Sequence, residues 1–173
     1  MRQSGILLHI TSLPGPEGIG TLGQEARDFA DFLQASGMSL WQVLPIGPTG
    51  YGESPYQCFS TYAGNPLLID LRTLEAEGLL AASAPPTWAD DSKVDFPAVI
   101  AWKEERLRQT FKQSRDKLKH ETQQFLQEQA HWLDDYALFR AAKQHFGGGS
   151  WMAWPDEALR MRQPEAMAEY LDA

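Results

Sequence analysis

A chain of 173 residues has room for about one domain, and its 43% hydrophobic and 22% charged residues are typical of a globular protein. The net charge of −8, without basic blocks, argues against nucleic acid and anionic membranes as partners. Cys58 is the single cysteine, which excludes an internal disulfide and a cysteine-based zinc site. The apolar N-terminal run is broken by His9 and Thr11 and has no small-residue cleavage site, so we expect a cytoplasmic protein without a signal peptide.

The N-terminal part of the sequence carries the pattern of a strand, a helix and a second strand. Residues 5–10 are mostly apolar and predict a buried strand, and residues 40–44 predict another. Between them, apolar residues recur at helical spacing over residues 24–36. A capping box that pairs Thr21 with Gln24 is expected to begin this helix.

This order predicts a βαβ unit, and hence an α/β fold with parallel strands and a right-handed crossover. Gly37 is placed to end the helix in the left-handed conformation. The loops 11–23 and 45–66 then leave the carboxyl ends of the two strands. That edge of the sheet carries the active site in (β/α) barrels and in doubly wound folds.

The first loop contains a match to the dinucleotide-binding fingerprint G-x-G-x-x-G, formed by Gly18, Gly20 and Gly23. In that fingerprint the first glycine directly follows the strand, so that the backbone can approach the pyrophosphate. Here residues 11–17 intervene, and no acidic residue follows the second strand to hold a ribose. We therefore interpret the glycines as a turn rather than as a nucleotide site.

The second loop, residues 45–66, is longer than most loops and is stiffened by four prolines. An aromatic ring can lie against the apolar C–H face of a pyranose, while Ser54, Gln57 and Asn65 offer donors and acceptors to its hydroxyls. The composition therefore fits a sugar-binding site, with packing of the aromatic rings onto the sheet as the alternative. The aromatic side chains of the loop are Tyr51, Tyr56, Phe59 and Tyr62.

Four stretches of the sequence are distinctive: GILLHITSLPG, GIGTLG, WQVLPIGPTGYGESPYQCFSTYAGNPLLIDL and WLDDYALF. Together they resemble the N-terminal part of the 4-α-glucanotransferases, the amylomaltases or disproportionating enzymes of the α-amylase-like clan. The resemblance runs in order along the whole chain and is densest over residues 5–71. It implies the N-terminal part of a TIM (β/α)8 barrel, beginning with the βαβ unit over residues 1–70, followed by a mainly α-helical subdomain.

The resemblance also implies a retaining transfer of α-1,4-glucan segments between maltooligosaccharides. Such enzymes use an aspartate nucleophile, a glutamate acid/base and a second aspartate that stabilises the transition state, with the two reacting carboxyls about 5–5.5 Å apart. The family segments that carry these groups lie further downstream, so we assign no catalytic residue in this chain. We expect an N-terminal fragment of a longer enzyme, inactive by itself, with no metal ion and no cofactor.

Three substrate-binding residues carry over from the resemblance. Tyr56, in SPYQ, matches the tyrosine that forms the floor of the sugar subsite next to the scissile bond. Ser54 matches the serine beside it. Tyr51, in TGYG, matches a tyrosine linked to glucan binding away from the catalytic centre. The expected ligands are maltooligosaccharides or other α-1,4-glucans, and packing is the alternative role for both tyrosines.

Residues 71–173, behind an expected boundary near residue 70, predict a helical subdomain or insertion in which the chain ends inside a helix. One helix is expected over residues 96–119 and a second over residues 121–144. Apolar stripes on the two helices predict an antiparallel hairpin, with a coiled-coil dimer as the alternative. The stripe of the first helix is Ile100, Leu107, Phe111 and Leu118.

Three glycines at residues 147–149 are expected to end the second helix. Trp151 and Trp154 follow, and we expect them to pack against the helix ends, with sugar contact as the alternative. Adjacent Asp134 and Asp135 are expected to diverge on a helix and to be solvated, because neighbouring helical positions face different directions.

Two functions of other classes remain open from the sequence. One is a non-catalytic glucan-binding module that acts at this length, and the other is a helical interaction protein built on residues 96–145. Two parallel strands alone would leave open sheet edges and an uncovered helix face. We therefore expect the isolated fragment to self-associate.

Overall fold

Two short strands and seven α-helices form the regular secondary structure of the described residues. The computed structural model describes residues 2–90 and 92–171, with the backbone alone for Tyr51 and Leu171. The strands are β1 Gly5–Leu7 and β2 Leu40–Gln42. The helices are α1 Gln24–Ala35, α2 Leu71–Ala76, α3 Phe96–Ser114, α4 Lys119–Gln129, α5 Leu133–His145, α6 Glu157–Arg160 and α7 Pro164–Leu171. No helix among them is both long and apolar enough to cross a lipid bilayer.

The two strands pair in parallel, as the strand–helix–strand pattern predicts. Gly5 lies opposite Leu40, and Ile6 lies opposite Trp41. Helix α1 connects the strands and packs on β2, where the ring of Phe29 meets the ring of Trp41 edge-on at 4.9 Å. The α/β character of the N-terminal part is therefore confirmed.

The prediction that both strands are buried is wrong for this chain. Strand β1 covers only residues 5–7 of the expected 5–10, and Leu7 is 58% exposed. Leu40 of β2 is 49% exposed. A parallel strand is buried only when helices or further strands cover both of its faces. Two strands and one connecting helix leave much of that surface uncovered.

Helix α1 begins at Gln24, as the sequence predicts, but without the predicted cap. Gly23 occupies the N-cap without a side-chain cap, so the predicted capping box is wrong. The Thr21 hydroxyl instead donates to the Asp70 carboxylate at 3.0 Å. The predicted glycine ending is confirmed, because Gly37 has φ +72°. Its amide and that of Met38 bond back into the last turn, which is the Schellman arrangement.

The chain divides into two compact units, Met1–Leu118 and Lys119–Ala173. This division differs from the expected boundary near residue 70. Helix α3 belongs to the first unit because Val99 packs with Ile19 and Leu67 in one buried cluster. The helix therefore shares its core with the loop that follows β1.

The buried face of α3 lies beside the predicted one, turned by roughly 80° around the helix axis. Phe111, on the apolar stripe, is 64% exposed, whereas Lys103 is 0% exposed. The buried positions pair with groups from the rest of the unit, as when Arg106 contacts the Glu75 carboxylate at 2.8 Å. A polar face is buried here because each charge meets a partner. The buried residues of α3 are Val99, Lys103, Arg106, Thr110 and Ser114.

A buried ion pair fixes the loop after β1 to α3. The Glu17 carboxylate, 2% exposed, accepts hydrogen bonds from the Lys103 ammonium and from the Leu71 amide. Lys103 also donates to the Ile69 carbonyl at 2.7 Å. Burial lowers the pKa of Lys103, and the Glu17 carboxylate opposes this shift. The pair connects three segments that are far apart in sequence.

Asp70 forms a second polar centre in the first unit. It caps α2 through a 2.8 Å bond from the Thr73 amide and contacts the Arg72 guanidinium at 2.8 Å. Burial raises the pKa of the Asp70 carboxyl, but hydrogen bonds from Arg72, Thr73 and Thr21 outweigh this and leave its pKa below the ordinary value. Asp70 therefore stays ionised and connects α2 to the start of α1.

In the second unit, the single helix expected over residues 121–144 is two helices. It is interrupted before α5, where Trp132 has φ −141° and its indole N–H donates to the Gln129 side chain at 2.8 Å. The glycine break is confirmed, because Gly147 and Gly148 both have positive φ and follow the end of α5. Since α3 and α5 lie in different units, the antiparallel hairpin stays a prediction.

The second unit is built around a small aromatic core. Ala142, Trp154 and Leu159 are buried together, and Phe139 and Phe146 pack against them. Trp154 is therefore a packing residue, as expected. Trp151 is covered only in part, because 50% of its surface is exposed.

Candidate functional site

Residues 45–66 fold back on themselves as a narrow hairpin rather than as an open loop. Four pairs of residues join its two arms. Three pairs are joined by backbone hydrogen bonds with N–O distances of 2.8–3.2 Å, and the fourth forms an antiparallel bridge. The loop is thus largely formed before any ligand binds, which reduces the ordering cost of binding. The joined pairs are Ile46 with Asn65, Pro48 with Phe59, Thr49 with Cys58, and Gly50 with Gln57.

The sequence of the loop explains why its two arms can approach so closely. A Cβ atom at Gly47 would lie 2.9 Å from the Ser60 carbonyl oxygen, and one at Gly50 would lie 3.0 Å from the Phe59 ring. Only glycine fits the first position without moving backbone. Pro48 is buried between these glycines and has no amide to satisfy.

The hairpin tip carries the predicted binding residues Ser54 and Tyr56. These residues belong to a β-turn in which the Gln57 amide donates to the Ser54 carbonyl at 3.0 Å. Pro55 takes the second position of the turn, which its fixed φ favours. Tyr56 follows in the third position and is 74% exposed, so its ring is presented to solvent instead of packing on the sheet.

The third predicted residue, Tyr51, starts the one-turn 3-10 helix Tyr51–Glu53 at the same tip. Its side chain lies outside the described residues, so its role stays a prediction. Of the polar groups expected to meet sugar hydroxyls, Gln57 is exposed, but Asn65 is already used. The Asn65 side-chain oxygen accepts from the Leu67 amide at 2.9 Å and caps the turn Pro66–Leu68.

Glu53 is a tip residue that the sequence analysis missed. It adopts the left-handed region with φ +51°, which is uncommon outside glycine. The Thr49 hydroxyl donates to its carboxylate and connects the tip to the hairpin stem. The sequence does not indicate the left-handed conformation of Glu53. From residue types alone, only its neighbour Gly52 would be expected to adopt it.

The glycines of the first loop face protein atoms, which argues against nucleotide binding. A Cβ atom at Gly18 would lie 2.5 Å from the Trp88 ring, and one at Gly20 would lie 1.9 Å from the Ile10 carbonyl oxygen. At Gly23 it would lie 1.8 Å from the Asp70 carboxylate. These glycines serve close packing inside the first unit, as the interpretation of a turn implies.

The remaining titratable groups that the structure describes form no metal-binding cluster. Within residues 2–90 and 92–171, no group of three or more His, Cys, Asp or Glu side chains is placed to hold a metal ion. Burial lowers the pKa of His9, whose Nδ1 is buried without a hydrogen-bond partner among the described residues. Asp135 contacts the Arg162 guanidinium at 2.7 Å, and Asp134 is exposed.

A comparison with protein-family models identifies the family of this chain. The family model described as 4-alpha-glucanotransferase matches residues 8–173, which is nearly the whole sequence. The chain belongs to this family. The recognition made from the sequence motifs is therefore confirmed.

Individual 4-alpha-glucanotransferases agree with the family match. The chain is 48% identical to the 4-alpha-glucanotransferase of Thermus thermophilus over 172 residues, with 97% of this chain and 34% of that protein covered. It is 47% identical to the Synechocystis enzyme, with 96% and 34% covered. The chain thus spans about a third of the length of the curated relatives that it matches.

A solved amylomaltase structure has the same fold over this region. The amylomaltase from Streptococcus agalactiae, determined in complex with acarbose, superposes with a TM-score of 0.90 at 39% identity. The match covers 98% of this chain and 35% of that structure. The short parallel sheet and the helices that follow are thus part of the architecture of a larger relative.

Proposed function

We propose that the chain is the N-terminal portion of a 4-alpha-glucanotransferase, and that its hairpin 45–66 binds α-1,4-linked glucose units. The observation that carries this proposal is Tyr56, which is 74% exposed at the tip of a hydrogen-bonded hairpin in a chain of this family. An aromatic ring held in water on a stiff loop is a preformed apolar surface, and a ligand that covers it removes that surface from water. A pyranose face is an apolar surface of suitable size.

The chemistry that this portion supplies is positioning. The ring of Tyr56 would support one glucose unit, the Ser54 hydroxyl beside it would bond a sugar hydroxyl, and Tyr51 would hold the glucan further along. In the complete enzyme, carboxylates from other segments would form and resolve a glycosyl-enzyme intermediate with retention. Since the acceptor is a sugar and not water, a preformed sugar platform favours transfer over hydrolysis.

The exposed sheet supports a barrel assignment for the complete enzyme. Leu7 and Leu40 are exposed where a (β/α)8 barrel has neighbouring strands and interior side chains. We assign β1, α1 and β2 to the first βαβ unit of such a barrel. The acidic composition and the single cysteine fit a cytoplasmic enzyme that acts on maltooligosaccharides.

We expect the Tyr56→Ala substitution to weaken maltotriose binding by about two- to tenfold, because it removes the ring that stacks on the sugar. Isothermal titration calorimetry of the 173-residue chain measures the dissociation constant. Tyr62→Ala is the matched control, since Tyr62 lies in the same loop and is 64% exposed. Equal weakening by the two substitutions would contradict the assignment to Tyr56.

The chain by itself is expected to show no disproportionation of maltotriose, because the family's catalytic carboxylates are assigned to other segments. A chimera in which this chain replaces the matching third of the Thermus thermophilus enzyme is expected to form glucose and longer glucans. Chromatography of the products measures both. A chimera that folds cooperatively and binds maltotriose without transfer would favour a non-catalytic binding module instead.

We expect the isolated chain to self-associate through its uncovered sheet surface. Leu7, Leu40 and Ile46 are 58%, 49% and 45% exposed. Exposed apolar side chains on and near an open sheet promote association. Sedimentation velocity is expected to show oligomers that Leu40→Lys reduces, whereas Leu126→Lys, at a similarly exposed leucine of α4, leaves them unchanged. A monomer at all concentrations would refute this expectation.

A further inference from the structure

The second unit contains a cleft of about 250 Å³ between α5 and the segment that follows it. Its floor is apolar, because Leu138, Ala142, Trp154 and Leu159 are all buried there. The volume is below the roughly 300–1,000 Å³ of pockets for drug-sized ligands, so a single ring is the largest group that fits. Nothing in the proposed function uses this cleft.

The rim of the cleft combines an aromatic face with accessible charges. Trp151 lines it and is 50% exposed. Asp135 and Arg162 also line it and pair at 2.7 Å, with 50% and 63% of their side chains exposed. The rim thus offers one flat apolar surface, acceptors on the carboxylate and donors on the guanidinium.

The rim is held in place by the surrounding backbone. Trp151 begins the 3-10 turn Trp151–Ala153, and the Arg160 guanidinium donates to the Met152 carbonyl of that turn at 2.9 Å. Arg162 adopts the left-handed region at φ +56°, and its side chain pairs there with Asp135. Uncommon backbone conformations cluster at ligand and active sites. The one at Arg162 belongs to a residue of the rim.

The indole N–H of Trp154, which lines the cleft, has no hydrogen-bond partner among the described residues. Trp154 is 6% exposed, and its indole N–H is buried. Its ring packs against Phe146 at 5.3 Å, which fixes its position. Buried donors in folded proteins nearly always have an acceptor, so this N–H is an unsatisfied donor in a residue that lines the cleft.

We propose that this cleft binds one glucose unit of an α-glucan, with the sugar face on Trp151 and its hydroxyls on Asp135 and Arg162. A neutral polyhydroxyl fits better than an anion, because it can both donate to the Asp135 carboxylate and accept from Arg162, whereas an anion would meet that carboxylate as a like charge. An aliphatic ligand would use neither the acceptors of the Asp135 carboxylate nor the donors of the Arg162 guanidinium. The choice of an α-glucan rests on the function proposed for the hairpin, whereas the saccharide chemistry rests on the cleft alone.

The test uses the 173-residue chain labelled with 5-fluorotryptophan and titrated with maltose. Fluorine NMR signals for Trp151 and Trp154 are assigned from single substitutions. We expect the Trp151 signal to shift saturably with maltose but not with sorbitol, which has hydroxyls and no ring face. Trp151→Ala is expected to weaken the titration seen at Trp154 by about two- to tenfold. Met152→Ala, which removes a neighbouring side chain 66% exposed, is expected to leave it unchanged.

The outcomes separate this proposal from the one for the hairpin. A Trp151 titration that persists in Tyr56→Ala supports an independent cleft. A Trp151 signal that stays unmoved while Tyr56-dependent binding is retained overturns the cleft and leaves the hairpin function standing. Equal shifts with sorbitol and maltose also overturn it. Saturable shifts at Trp151 without any Tyr56-dependent binding would support the cleft and reject the hairpin.

Discussion

Replacing Lys103 by Met is expected to lower the free energy of unfolding of the first unit by about 3–5 kcal/mol. The substitution leaves the Glu17 carboxylate, 2% exposed, without its cation in a site that solvent does not reach. The Ile69 carbonyl loses a donor at the same time. Urea denaturation followed by tryptophan fluorescence measures the change.

The controls separate the buried charge from the loss of a lysine. Lys93→Met removes a lysine whose side chain is 78% exposed and which pairs with Asp90 at 3.6 Å, so a change within about 0.5 kcal/mol is expected. The double variant Glu17→Gln with Lys103→Met removes both charges. It is expected to recover part of the stability, since the amide oxygen of the new side chain can still accept from the Leu71 amide. A Lys103→Met chain as stable as Lys93→Met would refute the ion-pair argument.

Gly20→Ala is the second substitution with a large expected effect, about 3 kcal/mol of lost stability. The added Cβ would lie 1.9 Å from the Ile10 carbonyl oxygen and 2.9 Å from the Leu13 backbone and Cβ atoms. Backbone atoms cannot swing aside as a flexible side chain can. The loop after β1 must therefore move, and with it the buried cluster that contains Ile10 and Leu13.

Gly64→Ala is the matched control for Gly20→Ala. A Cβ at Gly64 would meet no atom within 4 Å, and its φ is not in the left-handed region. This substitution is expected to be neutral or slightly stabilising, because alanine reduces the conformational entropy of the unfolded chain. Thermal unfolding by circular dichroism compares the two, and equal melting temperatures would show that the contact at Gly20 is not tight.

The features set by local sequence could be predicted. The parallel β1–α1–β2 order follows from apolar periodicity, and the helix ending at Gly37 follows from the freedom of glycine at positive φ. The glycine break after α5 follows from the same property. In the hairpin, Pro55 in the second position of a turn is typical of the tip that presents Tyr56.

The features that depend on partners distant in sequence could not be predicted. The stripe of Phe111 looks like the inner face of α3, but the helix turns Lys103 inward because the buried Glu17 carboxylate binds it there. Thr21 looks like a helix cap, but its hydroxyl bonds Asp70. No local pattern shows which carboxylate a lysine or a threonine will meet. The same holds for the cleft, where Asp135 meets Arg162 only after the chain has turned back from α6.

The bond between Lys103 and Glu17 spans 86 residues of sequence. During translation, a nascent chain that has released the loop after β1 and even the whole hairpin still lacks the lysine that neutralises Glu17. The first unit therefore gains its full cooperativity only after α3 leaves the ribosome tunnel. Until then, the early segments depend on partial hydrophobic contacts, and pausing before residue 103 would prolong the period in which chaperones can bind them.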